Sequence, residues 1–370
     1  MYENPSADPC PDQVAKPRLG PLLGSPCELA AGVDALYLSA QGDTPSFLLN
    51  DLDALRTSAE ISDLPASASL GGYPVKVLPR AWGKYRYCAV HELARVGFTP
   101  SAKLPAVRFQ PTAVALHSLG PQGFVLWARN FLDSCGIEAM LHVARLDLHS
   151  DWQGIDIRAN ERSNFVTYSD KRALYEVGEE MSGLTFGKRG GSLICRIYDK
   201  TRESKDKGHD WWPDVWGSGF DPDQKVIRVE FEFNREGLRE FAVDTPEDAF
   251  ERMPALWAYA TCNWLALRIP TGDDTRSRWP VDPRWDLIQR SSLRGGCAPA
   301  ERIKAGERQG QLRQLRKLAT GVLTSMAIPL GTDDIGDTLT AVEAELELYE
   351  RISGRTFPDR IAEKRQRSMP

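Results

Sequence analysis

Between residues 33 and 268 the chain repeatedly alternates apolar and polar positions, or runs short apolar stretches between turn residues. A period of two marks an extended strand with one buried face. Such runs cover residues 35–39, 73–78, 106–110, 115–118, 144–149, 193–200 and 226–234, and each is predicted to be a strand. Between them the apolar spacing lengthens to three and four, which predicts helices over 49–57, 121–135, 172–181 and 246–267. Thr245 followed by Pro246 suits an N-cap with proline at the first helical position. The mixture predicts an α+β fold: a central, mainly antiparallel β-sheet with flanking helices, plus a helical C-terminal region.

Composition divides the chain further. Residues 1–27 are rich in Pro, Gly, Ser and Asp without either period, the pattern of a flexible tail. A single folded domain is predicted over 28–268. Residues 269–300 turn to Pro, Gly, Asp, Arg and Ser and are predicted to be a linker. Beyond it, 301–370 is predicted to form a helical region with helices at 301–330 and 338–352. The second of these places Leu339, Val342, Leu346 and Tyr349 on one stripe.

Seven cysteines, odd in number and never spaced C-x-x-C, argue against a zinc site or a redox pair, and with the lack of an apolar leader or membrane span they predict a cytoplasmic protein. A formal charge of −5 excludes a surface coated in basic residues, so binding to a polyanion has to rest on local patches.

Three of the predicted strands carry chemistry on one face. Every second side chain of a strand shares a face. Arg145, Asp147 and His149 therefore point one way, and Leu146 and Leu148 the other. The same parity groups Arg196, Tyr198 and Lys200 against Cys195 and Ile197, and Arg228, Glu230 and Glu232 against Ile227, Val229, Phe231 and Phe233. Strand by strand, these are the solvated faces that any half-buried strand presents. As neighbours in one sheet they gather carboxylates, a phenol and several cations, the inventory for cleaving a phosphodiester. Carboxylates hold a hard divalent cation, Mg²⁺ or Mn²⁺, that stabilises charge on phosphate oxygens. Arginine and lysine add to that charge, and tyrosine can attack phosphorus and store the bond as a phosphotyrosine.

In chain order, Arg145-Leu-Asp147, Leu184-Thr-Phe186-Gly187-Lys-Arg189, Arg196-Ile-Tyr198-Asp-Lys200 with Glu203 following, and Arg228-Val-Glu230 resemble the strand motifs of trans-acting rolling-circle replication initiation factors of plasmids and phages. The related conjugative relaxases of integrative elements look alike in the same places. The resemblance covers roughly residues 73–267. It implies a site-specific DNA endonuclease and strand transferase in which Tyr198 is the nicking nucleophile. Asp147 and Glu230 would hold Mg²⁺ or Mn²⁺, with Glu203 and Glu232 as candidates for a third ligand, and Arg196, Lys200 and Arg228 would contact phosphate. The partners implied are origin DNA, double- and single-stranded, a host helicase and polymerase, and a second copy of the chain. A relaxase nicking a transfer origin shares these motifs. A non-catalytic DNA-binding protein of the same fold, or an unrelated metal-dependent hydrolase built on Asp147 and Glu230, would leave Tyr198 dispensable.

The other nickase chemistry uses two histidines one residue apart, and His91, His117, His142, His149 and His209 never meet that spacing. His149 lies on the polar face, where it is either a ligand or phosphate contact or a hydrogen-bonded surface residue. Residues 188–207 carry seven basic against three acidic side chains, net +4, and Lys188, Arg189 and Arg202 are the predicted DNA contacts there. The Gly190-Gly191 pair either lets backbone approach phosphate or makes a plain hairpin turn. Residues 301–318, six basic against two acidic and again net +4, are either a DNA-binding helix or a solvated one. Trp211, Trp212 and Trp216 either stack on unpaired bases or pack on the sheet. Tyr85 and Tyr87, with Lys84 and Arg86, are either a second DNA-facing strand or packing residues.

Overall fold

The computed structural model describes residues 25–178, 180–300, 319–320 and 322–367. The chain forms β1 (Cys27–Gly42), β2 (Ala66–Leu70), β3 (Tyr73–Val77), β4 (Tyr87–Val90), β5 (Ala94–Phe98), β6 (Val107–Pro111), β7 (Ala139–Gln153), β8 (Phe165–Thr167), β9 (Arg172–Val177), β10 (Glu180–Phe186), β11 (Leu193–Asp199), β12 (Ile227–Asn234) and β13 (Leu265–Leu267). Among the described residues, eleven of these make one sheet in the order β2-β3-β4-β5-β6-β1-β7-β12-β11-β10-β9, and every neighbouring pair is antiparallel. The short strands β8 and β13 pair with each other. The α+β architecture with an antiparallel sheet is the one that the alternation predicts.

The parity of the central strands sets the core. Leu146 and Leu148 of β7, Cys195 and Ile197 of β11 and Phe231 and Phe233 of β12 are all buried on one face. They are covered in part by a helix, Pro246–Tyr259, whose Trp257 meets Phe231 edge-on at 5.5 Å. That helix begins as its sequence requires. The Thr245 hydroxyl accepts from the Asp248 amide, the Asp248 carboxylate accepts from the Thr245 amide, and Pro246 opens the first turn.

Four segments differ from expectation. Residues 115–118 belong to a helix, Ala113–Ser134, that starts on the Thr112 side chain and breaks at Gly120, whose φ of 70° only glycine adopts easily. A four-residue apolar run is too short for periodicity to decide between helix and strand. Residues 172–181 form β9 and the start of β10, joined through Gly178 at φ 66°, because β11 offers β10 an edge to pair with. The helix expected over 246–267 stops early. It passes through a π-turn at Ala260–Trp264 into β13, which pairs with β8.

Residues 269–300, expected as a linker, are instead packed on the core. Within them the helix Pro283–Gln289 buries Trp285 and Ile288 completely. Trp257 donates its indole N–H to the Ile288 carbonyl at 3.1 Å, and Trp285 donates to the Thr261 carbonyl at 2.9 Å. Chain contacts close a first unit at residue 302. In the second unit, the expected 301–330 helix lies outside the described residues up to 318, and 322–330 are helical. A further helix, Ile335–Ser353, is capped by Asp334 and ended by Gly354. Of its predicted stripe Val342 is buried, whereas Leu339, Leu346 and Tyr349 are about half exposed.

Candidate active site

Strand register assembles the polar face. Across β7, β12 and β11, Asp147 faces Glu232, His149 faces Glu230, Glu230 faces Arg196 and Arg228 faces Tyr198. A fourth strand adds an acid. β1 pairs Val33 with Leu148 and Ala35 with Asp147, so Asp34 is the extra residue of a bulge. A bulge re-aims side chains, here toward the polar face. Asp34, Asp147 and Glu230 each bring a carboxylate oxygen to within 4.8 Å of the others.

These are not solvated strand faces. Asp147 is 1% exposed, and His149, Lys200, Glu230 and Glu232 are all buried. Buried charge has to be paired. Asp147 accepts both guanidinium N–H groups of Arg145, and Glu230 and Glu232 accept from Arg196 at 2.8 and 2.6 Å. Arg145 also reaches Glu232 at 2.9 Å. Beneath them Arg228, with no exposed surface, grips Asp151 with two nitrogens at 2.6 and 2.8 Å and Asp34 with the third. The Trp216 indole donates to Asp151 at 2.8 Å, and the Trp212 ring covers the Arg228 guanidinium at 4.3 Å.

Positive charge nevertheless falls short at the carboxylates. Burial pushes Asp147 up to about 7, with Arg145 pulling it down and Glu230 pushing it further up. Glu230 is raised too, first by burial and then by Asp34. Burial would also raise Asp34, but Arg228 holds it below the ordinary carboxylate range. Three crowded oxygen donors, two of them with elevated proton affinity, fit a hard divalent cation, which would supply the missing charge.

The Tyr198 hydroxyl donates to Glu230 Oε2 at 3.0 Å. Burial, and then the charge of Glu230, hold the phenol well above its ordinary pKa, so it is protonated at neutral pH. Gly183 lies opposite Tyr198 on β10, and a Cβ there would come within 3.2 Å of the tyrosine Cβ, so glycine keeps the space beside the ring open. Just beyond β11, Lys200 begins a short helix, Lys200–Lys207, capped by Asp199. Its ammonium donates to Glu203 at 2.6 Å and lies 4.5 Å from the Trp212 ring centre and 5.9 Å from that of Tyr198. Tyr198, Lys200, Arg202 and the three acids line one cleft of about 900 Å³.

Other expected participants are placed elsewhere. Glu203 is held by Lys200 and Lys207, and Glu232 by Arg196 and Arg145; the acid that joins Asp147 and Glu230 is Asp34. Arg228, expected to contact phosphate, is sealed from solvent and anchors Asp34 and Asp151 instead. Lys188 and Arg189 sit exposed in the β10–β11 turn, where the Gly191 amide bonds the Lys188 carbonyl in a plain hairpin turn. They do not line the cleft. His149 is buried, its Nδ1 has no partner among the described residues, and burial followed by Arg228 pushes it down to about 4. It is therefore neutral, and it stands outside the carboxylate group. Tyr85 and Tyr87 are packing residues, as are Trp212 and Trp216, while Trp211 stacks on Trp212 at the cleft wall.

Asp34 and Asp151 escaped the reading of the sequence. Asp34 did leave a signal: it is the one charged residue between positions 29 and 42, in the middle of the apolar run from Leu29 to Leu38.

With this geometry in view, the fold can be set beside known ones. The chain is similar to a rolling-circle replication initiator. The solved initiator protein from Geobacillus stearothermophilus aligns with 75% of this chain and 97% of its own, at 15% identity and a TM-score of 0.42. No family model matches the sequence, and no curated protein matches it significantly. Among the described residues no helix is long and apolar enough to cross a membrane.

Proposed function

We propose that this protein initiates rolling-circle replication by nicking one strand of origin DNA with Tyr198 and later rejoining it. The observation that carries this reading is the 3.0 Å hydrogen bond from the Tyr198 phenol to Glu230, one of three carboxylates gathered within 4.8 Å. A nucleophile, a proton acceptor and a cation site thus meet at one phosphate-sized space.

The phenol oxygen attacks phosphorus while its proton passes to Glu230 Oε2, which already accepts its hydrogen bond. The bond from phosphorus to the 3′-oxygen breaks, that oxygen takes up a proton, and the freed 3′-hydroxyl primes synthesis. The DNA 5′ end stays on Tyr198 as a phosphodiester. One diester has replaced another, so a 3′-hydroxyl can reverse the step without ATP. Bound by Asp34, Asp147 and Glu230, Mg²⁺ or Mn²⁺ would supply charge stabilisation to the phosphate oxygens. Lys200 and Arg202 face the same cleft and add fixed positive charge. Arg196 braces Glu230 and Glu232 and so sets where the proton acceptor sits.

The test is to incubate the protein with single-stranded DNA from its own replicon and Mn²⁺, then locate any DNA-linked residue by mass spectrometry. An adduct on Tyr198 is expected. Its absence, or an adduct on another residue, discards the assignment.

A further inference from the structure

One sheet face carries a second charged feature outside the cleft. Arg108 of β6 faces Ser39 of β1, which shares parity with Tyr37, and Tyr37 faces Arg145. Arg95 of β5 faces Gln110, two residues from Arg108 and on the same face, and Lys76 of β3 follows through Val90. Trp82 folds over this face, because a Cβ on Gly97 would meet its ring at 3.0 Å. The result is an alternating ladder. Arg95 lies 5.6 Å from the Trp82 ring centre, Arg108 lies 4.7 Å from Trp82 and 5.6 Å from Tyr37, and Arg145 lies 5.0 Å from Tyr37. The opposite face of the same strands, Val96, Phe98, Val107 and Phe109, is core.

Arg145 spends its charge on Asp147 and Glu232. Among the described residues Lys76, Arg95 and Arg108 pair with no carboxylate. Aromatic rings hold the Arg95 and Arg108 guanidinium groups in place, with their charge uncommitted to any carboxylate. From β5 to β7 the ladder spans three strand spacings, roughly 15 Å, ending at the ligand Asp147.

We infer that Arg95 and Arg108 form a track for the phosphate backbone of DNA on its way into the cleft, an inference that rests on the cleft acting on DNA. Guanidinium forks suit phosphate oxygens, and the rings, already sandwiched, leave the bases unread. Binding through the track is therefore independent of sequence and sensitive to salt.

The test is fluorescence anisotropy with labelled oligothymidylate and with a mixed-sequence duplex, across a salt series. The pair Arg95→Gln and Arg108→Gln should weaken binding of one or both probes roughly ten-fold and lower the slope of log affinity against log salt by about one per arginine. The Lys versions of both sites should restore most of the slope, which a folding defect would not allow. Arg129→Gln, which removes a single arginine charge that pairs with Glu247, should leave the slope unchanged. An unaltered slope in the double variant, or an equal loss in Arg129→Gln, overturns the track. Wild-type protein that binds with this arginine-dependent slope yet forms no Tyr198 adduct would instead retire the nicking chemistry and keep the track.

Discussion

At Tyr198 the proposed chemistry turns on one oxygen atom. Tyr198→Phe keeps the ring and its packing and removes only the hydroxyl. Nicking of supercoiled origin DNA should then fall by roughly a thousand-fold or more, with DNA binding retained in a gel-shift assay. Asp34→Asn removes one of three charged donors while Arg228 keeps its two bonds to Asp151, so the Mn²⁺ dissociation constant from calorimetry should rise at least about ten-fold. Asp147 supplies the pH dependence. Its carboxyl is pushed up to about 7 from an ordinary 3.8, so between those values the folded chain holds a proton that the unfolded chain has lost. The cation-free protein therefore loses stability from this group as pH rises through that window. Cation binding runs the other way, because the proton has to leave first: Mn²⁺ affinity should increase roughly ten-fold from pH 6 to pH 8 and then level off. Parity placed Asp147, Tyr198 and Glu230 on polar strand faces, and the motif resemblance singled them out there. Asp34 was not legible in this way, because a bulge inserts a residue and cancels the parity on which the reading depends.

Among the elements, strands with a clear apolar–polar pattern were readable, including the five-residue β3 and β6, and those without one, such as β4 and β5, were not. β7 and β12 alternate over long stretches and β11 over Cys195 to Tyr198, and their pattern predicted both the strand and its polar face. Residues 172–181 spell a helix as easily as a hairpin, and only the edge offered by β11 decides between them. Composition misled at 269–300, where prolines and charges resemble a linker but Trp285 and Ile288 are sunk into the core. Trp285→Ala should therefore lower unfolding stability by about 3–5 kcal/mol, measured by denaturant titration, within a single transition shared with the sheet. A linker residue would cost almost nothing.

For the whole chain, charge is placed rather than accumulated. At net −5 any hold on a polyanion has to rest on local clusters, such as Arg95 and Arg108 on one sheet face and Lys200 and Arg202 in the cleft, where local potential outweighs the total. All of the candidate site lies in the unit that closes at residue 302. A fragment of residues 25–302 should accordingly bind Mn²⁺ as the full chain does, checked by the same calorimetry. The amino-acid order by itself determined the α+β class, the strands that carry the acids and the tyrosine, and the side of each strand they occupy, since a period of two is a local property of the backbone. What only tertiary structure decided is which strands become neighbours, that the polar face is roofed by Trp212, and that a bulged aspartate completes the carboxylate trio. Those depend on contacts between residues well separated along the chain, from Arg196 with Glu230 across 34 positions to Arg228 with Asp34 across 194, and no local pattern encodes them.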